Sequence, residues 1–310
     1  MVEKLEKVWL DGKLVDDSGA TVHLLTHSLH YGVGVFEGIR AYKRADGKSY
    51  VFRLKEHIDR LFDGCKLTLM KCEFSREQVM AACTEVLRVN KLEEGYLRPI
   101  VFIGDGAMGV YAPNNPIRTA VAAWKWGTYL GEDALKLGIR TKISSYARHH
   151  VNVSLAKGKI TGQYTNSVLA KREAKFAGYD EAVMLDVQGY VSEGSGENIF
   201  IVKNGKILTP DFASSILGGI TRDTIITLAK EEGIPLEECR ITRDMLWLAD
   251  EAFFTGTAAE VTPIREVDNR AIGALGVEGK PGPITMRLQK RFFDIVRGSD
   301  SSHPEWLTKV

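Results

Sequence analysis

The sequence predicts a mixed α/β chain of two domains, and three observations lead there. At 310 residues, the chain exceeds the size at which a single core is the usual solution. With 44% hydrophobic and 26% charged residues, it has the balance of a soluble globular protein. Strand-like and helix-like patterns alternate along it, with no internal repeat or low-complexity stretch.

In chain order, VWLDGKLVDD reads as a hairpin turning at Asp11-Gly12. SYVFRL (49–54) reads as a strand, and 55–68, apolar at 58, 61, 62 and 65, as a helix. A second helix covers 76–90. YLRPIVFIG and TAVAAWKWG read as strands, with Pro99 placing the first at a sheet edge or bulge. Residues 127–138 read as a connection and IRTKISSYAR as a strand. A helix over 167–180 ends at Gly178. EAVMLDVQGYVSEG and NIFIVKNGKILTP give strands turning at Gln188-Gly189 and Asn204-Gly205. TRDTIITLAKEEG (221–233) is a helix closed by Gly233 and Pro235, and ITMRLQKRFFDIVRG is another. The tail after Gly298 is expected to fray or dock irregularly.

Composition excludes several function classes. With 41 basic and 40 acidic side chains, no charge excess points to nucleic acid. Cysteines 65, 72, 83 and 239 lack CxxC spacing, which supports neither a zinc knuckle nor a redox pair and fits a reducing compartment. The start carries no apolar signal core, and no run approaches the ~20 apolar residues of a membrane span. A cytoplasmic protein without a membrane segment is expected.

GDGAMG (104–109) matches GxGxxG, but prolines 113 and 116 forbid the helix a dinucleotide site requires, so it reads as a glycine loop. His23, His27 and His30 have no acid among them and read as packing or hydrogen-bonding groups; no metal site is expected. LGGITR (217–222) opens a helix on two glycines. Its free N–H groups suit an anion, although an ordinary strand-to-helix loop looks the same. Taken alone, Glu193 reads as a solvated surface carboxylate, and GTAAE (256–260) as an ordinary turn. Lys157 and Lys159 in SLAKGKITGQY are not separated by this reasoning.

These pieces stand in a fixed order. LHYGVGVFEGIRAY (29–42), HIDRL (57–61), YLRP (96–99), WKWGTYLG (124–131), KITGQY (159–164), EGSGENIF (193–200), GGITRD (218–223) and TGTAAEVTP (255–263) together resemble the branched-chain aminotransferases of class IV. The match runs from about residue 8 to 297, nearly the whole chain. The resemblance implies the fold-type IV pyridoxal-phosphate aminotransferase fold. A small α/β domain would span 1–129, a linker 130–134, and a larger domain 135–310 carrying the cofactor lysine, with the cofactor in the cleft between them.

It further implies that Lys159, five residues before Tyr164, forms the Schiff base with pyridoxal 5′-phosphate, and that its amine then moves the α-proton. Glu193 would pair with the pyridine nitrogen, keeping the ring an electron acceptor. Tyr164 would bond the phenolic oxygen. Arg60, the backbone of Ile220 and Thr221, and Thr257 would hold the phosphate. The substrate carboxylate would lie on Tyr96, Thr257 and Ala258. The side-chain pocket would comprise Phe36, Tyr31, Trp126, Tyr129 and Val110, with Tyr31 and Val110 crossing between subunits of a homodimer; a trimer of dimers is compatible. Arg98 would take glutamate's side-chain carboxylate.

The implied reaction moves the amino group of L-leucine, L-isoleucine or L-valine to 2-oxoglutarate by a ping-pong course. One methylene in an apolar pocket is worth only ~1–3 kcal/mol, so all three donors should react. Alternatives are a D-amino acid or (R)-amine transaminase of the same fold, a lyase on that fold, or a binding protein with a degenerate site. Ile160 and Thr161 are bulkier than the family's small residues, and HHVNVS (149–154) lacks a proline-containing run. Both departures bear on substrate range.

Overall fold

Local turn chemistry sets the first strands. Asp11 and Gly12 adopt φ of 46° and 87°, the positive values a two-residue hairpin turn needs. They join β2 (Lys7–Leu10) to β3 (Lys13–Asp16), after β1 (Glu3–Lys4). β4 (Gly34–Phe36), β5 (Ile39–Lys43), β6 (Ser49–Phe52), β7 (Gly95–Ile103) and β8 (Ile117–Lys125) follow. The computed structural model describes residues 3–127, 131–273 and 278–310.

The chain divides into two units. The first comprises Met1–Gly127, Gly158–Gln163 and Ile295–Val310, and the second Thr128–Lys157 and Tyr164–Asp294. Lys159, expected within the span 135–310, is therefore grouped with the N-terminal residues. The cause is local: Ile160 bridges Val35, and the Phe36 N–H donates to the Lys159 carbonyl at 3.0 Å.

The first unit's sheet runs C-terminal strand–β6–β5–β7–β8–β2–β3, with β1 also on β8 and β4 on β7. Besides the short α1 (His27–Tyr31), it carries α2 (Leu54–Leu67) and α3 (Arg76–Val89). α2 buries Leu54, Ile58, Leu61 and Cys65, one helical stripe, against Val35, Ile39, Leu97 and Val101 of the same core. Each fully buried aliphatic side chain there contributes about 1.5–3 kcal/mol. α3 starts on a capping box between Ser75 and Gln78.

Two expectations are corrected here. β7 is interior rather than at an edge, since β4 and β5 pair one side of it and β8 the other. Pro99 is tolerated because it falls opposite the interruption at Glu37-Gly38, between β4 and β5. The tail beyond Gly298 is ordered: Leu307–Lys309 pairs antiparallel with β6. Trp306 anchors it, 7% exposed, edge-on to Phe52 and under the Arg53 guanidinium.

In the second unit the strands are β9 (Ile139–Ile143), β10 (Glu181–Leu185), β11 (Val191–Gly194), β12 (Asn198–Lys203), β13 (Lys206–Pro210), β14 (Leu236–Cys239), β15 (Glu251–Gly256), β16 (Glu260–Val267) and β17 (Arg270–Ala271). The sheet order is β11–β10–β9–β16–β15–β12–β13–β14, with β17 on β16. β9 pairs parallel with β10 and β16, while β12–β15 and β15–β16 are antiparallel. β12 and β15 are buried along nearly their whole length, which explains their unbroken apolar runs, and Phe200 stacks on Phe253 at 5.0 Å.

The helices associated with this unit are α4 (Glu132–Leu137), α5 (Tyr164–Phe176), α6 (Ile220–Glu231), α7 (Arg243–Trp247) and α8 (Pro283–Arg297), the last continuing into the first unit from Ile295. α4 lies within what the sequence reads as a plain connection. α5 begins at Tyr164, earlier than the apolar pattern indicates.

Candidate functional site

In the first unit the expected residues gather around the Glu37-Gly38 interruption. Glu37 is fully buried, and its backbone N–H donates to the Pro99 carbonyl at 2.9 Å. Arg60 binds its carboxylate in bidentate fashion, Nε to Oε1 at 2.6 Å and Nη2 to Oε2 at 2.8 Å, and His57 Nδ1 donates to Oε2 at 2.7 Å. His57 and Arg60 share a face of α2 because they are three residues apart. Half-buried Lys159 places its ammonium 5.2 Å from the Phe36 ring centre.

Burial alone would raise the Glu37 pKa, but Arg60 and then His57 hold it far below the usual carboxylate range. Burial pushes His57 below its ordinary value; Glu37 pulls it back, and the Arg60 and Lys159 charges oppose that pull. His57 is thus less readily protonated in the fold than in the unfolded chain. Below about pH 6.5 the unfolded chain takes up a proton that the folded chain does not, so the stability His57 contributes above that pH is lost on acidification. The slope is at most about 1.4 kcal/mol per pH unit. Denaturant unfolding at about pH 7.5 and 5.5 should show the parent protein losing more stability than His57→Asn; equal losses would refute the assignment.

Beside this cluster, Arg98 donates Nε to the Glu37 carbonyl at 2.9 Å. Its guanidinium lies 4.7 Å from the Phe36 ring, 5.7 Å from Tyr96 and 5.4 Å from Trp124. Tyr96 meets Trp126 edge-on at 4.6 Å. Gly38 makes room for Tyr96: a Cβ there would stand 1.7 Å from the Tyr96 hydroxyl. Gly38→Ala should displace Tyr96 and raise the substrate KM by roughly tenfold or more, with a smaller change in kcat; an unchanged KM would exclude Tyr96 from substrate binding.

Tyr31, on α1, accepts from the Gly109 N–H at 2.9 Å, and His27 Nε2 donates to the Gly109 carbonyl at 2.8 Å. The GDGAMG loop is therefore tied to α1. His23 and His30 bond the backbone of Leu25 and Leu24, so all three histidines serve local structure. Val110 in that loop is 92% exposed. Ile160 joins the apolar core, and the Thr161 hydroxyl donates to the Gly32 carbonyl at 2.6 Å. The bulk of both residues is used in packing around α1 and β4. Tyr129 lies outside the described residues.

In the second unit a buried carboxylate stands beside an uncapped helix start. Glu193, 6% exposed, accepts from Arg148 Nη2 at 2.7 Å on Oε1. On Oε2 it accepts from Asn198 Nδ2 at 3.1 Å and the Leu217 N–H at 3.0 Å. α6 opens at Ile220 and Thr221 with Gly219 as its N-cap, which supplies no side-chain bond. A Cβ at Gly219 would stand 1.9 Å from Asn198 Oδ1. The helix start thus needs glycine to lie this close to the Glu193 support, and its N–H groups suit an anion.

Thr257 and Ala258 form the turn from β15 to β16, both partly exposed. At Gly256 that turn approaches the Gly196 carbonyl and the Glu197 side chain, each 3.5 Å from a Cβ built there. Tyr164 is half-buried at the start of α5. Lys157 spends its ammonium on the Phe212 and Ile216 carbonyls at 2.7 and 2.9 Å.

A phosphate-bearing pyridine fits what the second unit presents: a buried carboxylate able to accept from a ring N–H, and a helix N-terminus without a side-chain cap close by. Residues 34–267 match the family described as amino-transferase class IV. The chain belongs to the class IV aminotransferases. It is 53% identical over 310 residues to a branched-chain-amino-acid aminotransferase of Pseudomonas aeruginosa, covering 100% of this chain and 99% of that one. The crystal structure of Escherichia coli branched-chain amino acid aminotransferase superposes with TM-score 0.95 at 44% identity, covering 98% and 99% of the two chains. A crystallised T.th. branched-chain amino acid aminotransferase, complexed with N-(5′-phosphopyridoxyl)-L-glutamate, superposes with TM-score 0.91, also at 44% identity and 98% of each chain. The α/β two-domain, fold-type IV architecture is that of this family.

Sequence reasoning missed four residues of the two candidate clusters. Glu37, His57 and Asn198 lie inside family motifs without having a role read for them. Arg148 carried no signal, since its partner Glu193 is distant in sequence.

Proposed function

We propose that the chain is a branched-chain-amino-acid transaminase that uses pyridoxal 5′-phosphate. It would move the amino group of L-leucine, L-isoleucine or L-valine to 2-oxoglutarate, releasing the branched-chain 2-oxo acid and L-glutamate. The observation that carries this reading is full-length identity of 53% to a protein of that name. The glutamate-bearing cofactor adduct held by the T.th. relative supports the acceptor half.

When bound, the cofactor supplies an aldehyde that captures an amino group and a ring that withdraws electrons from the substrate's α-carbon. The residues divide the remaining work. Lys159 Nζ holds the cofactor between turnovers and then moves the α-proton. Glu193 keeps the ring nitrogen protonated, and the Tyr164 hydroxyl bonds the ring oxygen. Arg60, the Ile220 and Thr221 N–H groups and the Thr257 hydroxyl hold the phosphate. Tyr96, Thr257 and Ala258 hold the substrate carboxylate. Phe36 and Trp126 form the apolar wall, joined by Tyr31 and Val110 from the second subunit, and Arg98 pairs with the glutamate carboxylate. Fixed on aromatic faces, the Arg98 guanidinium pairs with an acid without having to move into an aliphatic chain's space.

A coupled assay with L-leucine and 2-oxoglutarate tests the reading. Turnover of D-alanine or (R)-1-phenylethylamine with inert L-leucine would replace it with a D-amino acid or (R)-amine transaminase.

We also propose a homodimer as the minimal active form, in a cytoplasmic setting. Leu24, Leu29, Val110 and Tyr111, from two segments joined through the Gly109 bonds of His27 and Tyr31, are 76%, 62%, 92% and 84% exposed. Val110→Arg should shift sedimentation toward monomer and reduce leucine turnover by roughly tenfold or more. A fully active monomeric parent would refute the dimer, and mass measurement shows whether dimers join into trimers of dimers. The cytoplasmic setting is supported by four free cysteines and by the lack of any helix, among the described residues, long and apolar enough to cross a membrane.

A further inference from the structure

We propose that Glu37, supported by His57, is a positioning residue that fixes the Arg60 guanidinium for the cofactor's phosphate and so sets the preference for phosphorylated over unphosphorylated cofactor. This rests on the reading of Arg60 as a phosphate ligand.

Glu37 is locked at every level. Its N–H is held by Pro99, its carbonyl by Arg98 Nε, and both carboxylate oxygens by donors from α2. Its side chain is 0% exposed, and that of Arg60 13%. A guanidinium carries its N–H groups in one rigid plane, so two bonds to Glu37 settle where the other N–H groups point. A lysine at position 60 would lack that property. The Glu37–Arg60 pair is also neutral overall, so phosphate affinity here depends on aimed donors more than on net charge.

The arrangement makes one substitution sharply informative. Arg60 contacts both oxygens of Glu37, Nε on Oε1 and Nη2 on Oε2. In Glu37→Gln, whichever way the amide turns, its NH2 faces an N–H of Arg60. His57 can exchange tautomers to accept from an amide; Arg60 has no acceptor at all. The guanidinium must therefore turn or tilt, although the side-chain volume is nearly unchanged.

The test compares equilibrium affinity for pyridoxal 5′-phosphate and for pyridoxal, which lacks the phosphate, using full-length protein. For Glu37→Gln we expect the phosphate preference to fall by roughly tenfold or more, in line with loss of a charge-assisted hydrogen bond, with pyridoxal affinity within about twofold of the parent. His57→Gln, which leaves the Arg60–Glu37 bonds in place, should lower the preference by only a few-fold and serves if Glu37→Gln does not fold. A general structural role would weaken both ligands alike. That result, or an unchanged ratio in both variants while Arg60→Met lowers it, overturns the proposal. An unchanged ratio in Arg60→Met itself refutes the phosphate role of Arg60, and the inference falls with it.

Discussion

Replacing Lys159 with alanine should lower leucine turnover by at least about 10⁴-fold, because in the proposed reading one amine would serve both as the cofactor's anchor and as the base for the α-proton. The fold should survive. The backbone here makes two structural links: the Lys159 carbonyl accepts from Phe36, and the neighbouring Ile160 bridges Val35. Alanine keeps both. Borohydride reduction of the parent protein, followed by peptide mapping, should place the phosphopyridoxyl label on Lys159.

Lys157 is the control. Its ammonium is bonded to the Phe212 and Ile216 carbonyls, and releasing them costs local packing but no chemistry. Lys157→Ala should therefore keep the label and most of the activity. A label on Lys157, or a Lys159→Ala protein that still turns over leucine within about 100-fold of the parent, would refute the assignment.

What the sequence revealed of this fold was what short-range chemistry decides. The Asp11-Gly12 and Asn204-Gly205 hairpins were legible because the turn geometry itself demands positive φ. α2 and α3 were legible because each must present one apolar stripe. Pairings between distant segments were not. Nothing in LTK at 307–309 marks it as a partner for β6, and nothing near Pro99 announces that β4 and β5 meet β7 on either side of it. The same division runs through the site. Lys159 and Glu193 stand out only when the ordered family motifs are read together. The ion pairs that hold Glu193 and Arg60, from Arg148 and Glu37 respectively, join distant residues that no local period records.

Glu193→Gln should lower kcat by about 10²–10³-fold, and its stability cost can be separated from its chemistry. The carboxylate takes an N–H from Arg148 on one oxygen and two, from Asn198 and Leu217, on the other. An amide offers one acceptor oxygen. Turned one way, its NH2 opposes Arg148; turned the other, it opposes Asn198 and the Leu217 N–H. The buried site therefore loses satisfied bonds in either orientation. More importantly, an uncharged amide cannot hold a proton on a pyridine nitrogen, and the ring then draws electrons poorly. The amide also leaves Arg148, 8% exposed, with an uncompensated charge, as Glu193→Ala would, a loss typically of about 3–5 kcal/mol. The double variant Glu193→Gln/Arg148→Met removes the stranded charge. It should recover much of the thermal stability and none of the turnover, since the acid at the ring is still missing. Glu193→Asp, which keeps the charge but shortens the reach, should fall between parent and amide in kcat. Recovery of kcat in the double variant, or a Glu193→Gln enzyme within about tenfold of the parent, would show that Glu193 acts by packing alone.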